Sequence, residues 1–95
     1  NNTTGNTSTQ ATMLAKATLE MLKSQDIGST ALAVGDYEDP TGVDAGGNPG
    51  GIYNRNWRID PLGTNSRRIS VTVEWTKFGG TRRVSVRSNT MGNGI

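Results

Sequence analysis

Four acidic residues stand close together in GDYEDPTGVD: Asp36, Glu38, Asp39 and Asp44. Carboxylates grouped this way are the oxygen ligands that a calcium ion takes. The EF-hand order is missing, because no D-x-[DN]-x-[DN]-G run leads to a closing Glu. A solvated acidic loop is the expectation, with no metal and no cofactor.

The neighbouring DAGGNPGGIYNRN is rich enough in glycine to suggest a phosphate cradle. A Walker loop needs Gly-Lys-Ser or Gly-Lys-Thr opening a helix, and the residues that follow here are β-like. The segment reads as a flexible loop. Arg67, Arg68, Arg82 and Arg83, with Arg58, Arg87, Tyr53 and Trp57, could form a basic and aromatic surface for single-stranded nucleic acid. No RRM or OB signature accompanies them, and Trp75 reads as core. Glu74 and Asp60 are the acids of the β-rich part, and Glu74 most simply offsets Arg83 across a hairpin.

The chain has no histidine and no cysteine. A His-dependent triad, a disulfide framework and Cys or His zinc chemistry are excluded by composition. With no convergent acid pair either, no enzyme is expected. The 95 residues carry a net charge of +2, with acids concentrated from Glu20 to Asp44 and every arginine between Arg55 and Arg87. A basic second half can meet nucleic acid or acidic lipid, but such charges also serve as the solvated face of a sheet. No apolar run reaches the length of a membrane span.

The elements that position these residues follow from periodicity. QATMLAKATLEMLKSQD places Ala11, Leu14, Ala15, Thr18, Leu19, Met21 and Leu22 in one sector of a helix, with Thr12, Lys16, Glu20, Lys23 and Ser24 opposite. A helix over 10–27 is predicted, behind a polar leader at 1–9. Ser8 or Thr9 is the candidate cap, Asp26 to Gly28 the stop, and Lys16 with Glu20 an i,i+4 pair. Residues 28–51 read as a long variable loop, with Ala31 to Val34 a short strand or a turn of helix.

The rest alternates as strands do. Tyr53, Trp57 and Ile59 share one side, interrupted by Arg55. Ile69, Val71, Val73 and Trp75 share a face, as do Val84 and Val86. A turn near Lys77 to Gly80 allows two registers of equal parity. One pairs Val73 with Val84, Val71 with Val86 and Glu74 with Arg83; the other pairs Trp75 with Val84 and Val73 with Val86.

One domain over 1–95 is expected: an α+β fold with the helix on a three- or four-stranded antiparallel meander at 52–88 and a tail at 89–95. The candidate core is Leu14, Leu22, Ile69, Val71, Val73, Trp75, Val84 and Val86.

The order of helix, long loop and meander resembles the globular domain of type IV pilins and type II secretion pseudopilins. QATMLAKATLEMLKSQD is similar to the "A-x-x-L-A-x-x-x-L-E-x-L" stretch of PilV-like minor pilins and GspI-like minor pseudopilins. RRISVTVEWTKFGGTRRVSVRS resembles their "V-x-V-x-W … G-x-x-x-x-V-x-V" hairpin, through Val71, Val73, Trp75, Gly79 or Gly80, Val84 and Val86. The loop at 28–51 lies outside the likeness. The Cys pair of many major pilins is absent, which favours a minor subunit.

The resemblance implies a structural subunit of a type IV pilus, working by filament assembly or priming, with the secretion pseudopilin as the alternative. It implies a longer helix whose upstream hydrophobic half anchors in the inner membrane, facing the periplasm, and later lines the extracellular filament. Partners would be other pilin or pseudopilin subunits. Met13, Ala17 and Glu20 are the candidate subunit contacts, together with the loop at 36–51, and the isolated domain should be monomeric. Two family properties bear on the motifs above: some major pseudopilins hold calcium in a loop, and some minor pilins bind DNA. The second reading remains a small basic module that holds nucleic acid on its sheet.

Overall fold

A computed structural model describes residues 7–25, 30–63, 66–77 and 79–91, without the side chains of 31, 77 and 91. Helix α1 spans Thr7–Lys23, followed by a 3-10 turn at Thr30–Leu32 and four strands: β1 Gly35–Glu38, β2 Asn54–Pro61, β3 Ser66–Lys77 and β4 Gly80–Met91. The strands form one antiparallel sheet in the order β1-β2-β3-β4. With one helix on one face, this is an α+β fold of two layers. The long β3–β4 pair gives an elongated body of 47 × 24 × 21 Å.

The helix buries Ala11, Leu14, Ala15, Thr18, Leu19 and Leu22. It packs on β3 and β4. There it meets Ile69, Val71, Val73 and Trp75, all buried, while Val84 and Val86 are only half-buried against the same cluster. β4 is an edge strand, so its inward residues are covered from one side alone. Removing a Val or Ile side chain of this kind from water contributes about 1.5–3 kcal/mol, which makes the centre of β3 the main source of stability. Trp75 meets Tyr53 edge-on at 5.8 Å.

Several boundaries differ from those read in the sequence. The helix begins at Thr7 rather than Gln10, so Ser8 and Thr9 lie inside it and cap nothing. The cause is tertiary: the buried Tyr53 hydroxyl lies 3.2 Å from both the Thr7 carbonyl and Gln10 Oε1 and fixes the polar first turn. At the other end α1 stops at Lys23, and Ser24 and Gln25 donate to the carbonyls of Glu20, Met21 and Leu22. The expected stop from Asp26 to Gly28 lies outside the described residues. Lys16 and Glu20 form no ion pair with each other.

The supposed loop at 28–51 contains ordered structure. Ala31 falls in the 3-10 turn, which buries Leu32, and Gly35–Glu38 forms β1, a strand the sequence pattern does not mark. Two acids in four residues mask that strand. It forms because Tyr37 pairs with Trp57 on β2 and stacks on it, with ring centroids 5.9 Å apart. The hairpin takes the first register, Val73 with Val84 and Val71 with Val86, closing at Lys77 and Gly80. β4 continues through Asn89 to Met91, residues expected in the tail, because β3 begins at Ser66 and offers them partners. No helix among the described residues is long and apolar enough to cross a membrane.

Candidate functional site

The sheet separates the residues that looked able to act together. On β1, Asp36 and Glu38 are exposed on the outer face, away from the helix, while Asp39 turns to the opposite side and binds Arg55. Asp44 is occupied within its own loop, where Oδ1 accepts from the backbone N–H of Gly46 and Asn48 at 2.9 Å. Chiefly the Asn48 N–H, with help from Gly46, holds the Asp44 carboxyl below the usual carboxylate range. Asp36, Asp39 and Asp44 face three different partners, and among the described residues no group of acids is placed to hold a cation.

The glycine-rich segment is a compact loop, not a cradle. Val43 exchanges backbone hydrogen bonds with Tyr53 at 2.8 and 2.9 Å, and Gly50 N–H reaches the Gly42 carbonyl at 2.9 Å. The two legs pass so closely that a Cβ on Gly51 would sit 2.2 Å from the Val43 carbonyl, and one on Gly42 would sit 2.4 Å from the Gly51 oxygen. Only glycine fits at this crossing. Gly42 and Gly51 thus serve backbone approach, and Val43 and Tyr53 are buried in the loop they close.

The basic and aromatic groups also part company. Arg58, Arg68, Arg83 and Arg87 project on the outer face, whereas Tyr53 and Trp75 are buried and Trp57 lies on the inner face beside Tyr37. Arg67 and Arg82 share the parity of the inner face. Two of the outer arginines are paired: Arg58 with Asp60 at 2.8 Å and Asp36 at 3.4 Å, and Arg83 with Glu74 at 2.7 Å. The Asp60 hydrogen bond, then the Asp36 charge, raises the Arg58 pKa. The expected Glu74–Arg83 pair is present, but among the described residues no stacking platform for bases is assembled on the outer face.

What the fold does assemble is a surface along α1. Met13 is 63% exposed and Met21 49% exposed, with the exposed Ala17 midway between them. Spacing of i, i+4 and i+8 places all three on one stripe. Glu20 is exposed beside it. Met21 was expected in the apolar sector; it lies at the edge of that sector, where the sheet does not reach. A shallow groove of about 260 Å³ runs from Leu14, Ala17 and Met21 to Ala45, Gly46 and Arg55.

Arg55 fixes the wall of that groove. Its guanidinium makes two hydrogen bonds to Asp39, at 2.7 and 3.1 Å, and a third to Thr18 Oγ1 at 3.1 Å. It also lies over the Trp57 ring. Strand, loop and helix are joined at one side chain. A signal for it stands in the sequence: Arg55 is the residue that breaks the alternation of Tyr53, Trp57 and Ile59. Its partners Asp39 and Thr18 could not be read from spacing.

Comparison of the chain with protein-family profiles, with characterised proteins and with solved structures finds no significant match. The class is therefore defined by architecture alone, an α+β domain with one helix over a four-stranded antiparallel meander.

Proposed function

We propose that this chain is a structural minor subunit of a type IV pilus, of the minor pilin kind, acting in filament assembly or priming. The observation that carries the reading is the exposed stripe Met13–Ala17–Met21 on the single helix, opposite a sheet that already satisfies the helix's buried side. Unbranched methionine side chains suit a helix–helix contact that must accept neighbours of differing shape. Glu20 borders the stripe and would fix the register of a neighbouring helix. The groove behind Ala17 and Met21 gives that contact a second wall on the loop side.

On this reading α1 is the lower part of a longer helix, held in the inner membrane before assembly and packed in the extracellular filament afterwards. Function resides in surfaces, and no reaction is involved. A minor pseudopilin of a type II secretion system is the alternative within the same architecture. The nucleic-acid reading gains no support, since Arg58, Arg68, Arg83 and Arg87 lie on the face opposite the described aromatic rings.

The test is genetic. The coding sequence upstream of Asn1 should encode a run of ~20 apolar residues behind a prepilin cleavage site. Deletion of the gene should abolish or shorten pili, and wild type should restore them where Met13→Glu with Met21→Glu does not. Loss of secretion with pili intact selects the pseudopilin. A soluble upstream segment, or a deletion that leaves both pili and secretion intact, refutes the proposal.

A further inference from the structure

The two edges of the sheet differ in length, charge and protection. β1 is four residues long, carries Asp36 and Glu38, and is followed at once by Asp39 and Pro40. Shortness, charge and proline are the usual means of closing an edge to further pairing. β4 is twelve residues long and contains no proline. It pairs with β3 in unbroken register from Lys77↔Gly80 to Ser66↔Met91, with no bulge to turn the edge away.

Which β4 groups face outward follows from one bond. Leu62 N–H donates to the Ser66 carbonyl at 3.1 Å, so even-numbered residues of β3 bond toward β2. Hydrogen-bonded pairs alternate along an antiparallel ladder, so the odd-numbered residues of β3 bond toward β4. Their partners there are even-numbered. The N–H and C=O of Thr81, Arg83, Ser85, Arg87 and Asn89 therefore point away from the sheet.

This edge is basic. Arg82 and Arg87 are exposed and make no ion pair among the described residues, while Arg83 between them in sequence is paired with Glu74. On α1, Ala17 and Met21 lean toward the loop and Arg55, which places Lys16 and Lys23 by helical periodicity on the flank toward β4. Glu74 on β3 is the acid beside this edge and is taken up by Arg83, whereas Asp36, Glu38, Asp39 and Asp60 lie on the other side of the sheet, on or beside β1 and β2. Repulsion between like charges bars a second β4, while an acidic strand meets complementary charge.

We propose that the free edge of β4 is a docking edge for an extended acidic segment of another protein, which adds to the sheet as a fifth strand. Main-chain bonds to the odd-numbered residues give affinity, and the arginines select acidic side chains. The edge is separate from the Met13–Ala17–Met21 stripe, so the inference does not depend on the filament reading.

The probe is an alternating Thr-Glu peptide of about 12 residues, matched to β4 in length, with the Thr-Lys peptide and a dT oligonucleotide as comparisons. Amide exchange is followed residue by residue. The Thr-Glu peptide should slow exchange at Thr81, Arg83, Ser85, Arg87 and Asn89 by about tenfold or more, leaving the even-numbered amides of β4 unchanged. Arg82→Glu with Arg87→Glu should weaken binding about tenfold while the fold persists, since neither arginine has an ion-pair partner to lose. No binding at ~1 mM peptide overturns the proposal. So does equal binding of the Thr-Lys peptide, or binding of either anion that leaves the five outward amides unprotected. None of these readings involves α1.

Discussion

The Arg55–Asp39 pair yields the sharpest stability prediction. Asp39→Ala removes the carboxylate from a guanidinium whose side chain is 16% exposed, leaving Thr18 Oγ1 as its remaining partner at 3.1 Å. Breaking a fully buried pair from one side costs ~3–5 kcal/mol, because the orphaned charge stays desolvated. Some water reaches Arg55 and the Thr18 bond persists, so the expected cost is ~2–3 kcal/mol. In a chain of this size each kcal/mol moves Tm by ~4–8 °C, which gives a fall of ~10–20 °C. Arg55→Met combined with Asp39→Ala should return to within ~1 kcal/mol of wild type, since an apolar side chain against Trp57 removes both charges together. Urea denaturation of wild type, the two single variants and the double variant gives the coupling directly. An Asp39→Ala variant within ~0.5 kcal/mol of wild type, or single effects that simply add, would refute the claim that this pair joins helix, loop and sheet.

Further outcomes follow from individual positions. Gly51→Ala should lower stability by ~2 kcal/mol or more by forcing the loop legs apart, while Gly46→Ala stays within ~0.5 kcal/mol, its new Cβ meeting only side-chain atoms; thermal melts compare them. Ile69→Ala, at a position with no exposure, should cost ~2–5 kcal/mol, and Met13→Ala less than ~0.5 kcal/mol. The Asp44 carboxyl is held low by the Asn48 and Gly46 N–H groups, so its contribution is present above the ordinary Asp pKa and is lost as pH falls through the lowered folded value. An NMR titration should place Asp44 below the usual carboxylate range, and Asp44→Asn should flatten the acid side of the stability profile. An Asp44 midpoint at or above that of an Asp in an unstructured peptide would refute this assignment.

Much of the fold was legible because its signals are local and periodic. The 3.6-residue pattern of Leu14, Thr18 and Leu22 and the alternation from Ile69 to Trp75 each name a buried face without reference to the other. Residues expected in the core lie in or against it. The β1 strand was hidden because its pattern is too short and too acidic to stand out from GDYEDP. Its stability comes from Trp57, a residue distant in sequence. The helix start was misplaced for a similar reason, since a polar TST turn gains its order from Tyr53.

The candidate surfaces divide along the same line. Composition by itself ruled out cysteine and histidine chemistry, and alternation assigned each β residue a parity. Parity also fixed which arginines could share a face, but it could not say which face the helix would cover or which strand would lie at the edge. Those are properties of how the layers stack. Once β4 is an edge and α1 leans toward the loop, Met13, Ala17 and Met21 become a free stripe and the arginines of β4 a charged rim. Periodicity is written into neighbouring residues, whereas exposure depends on elements far apart in the chain, and only tertiary structure brings those together.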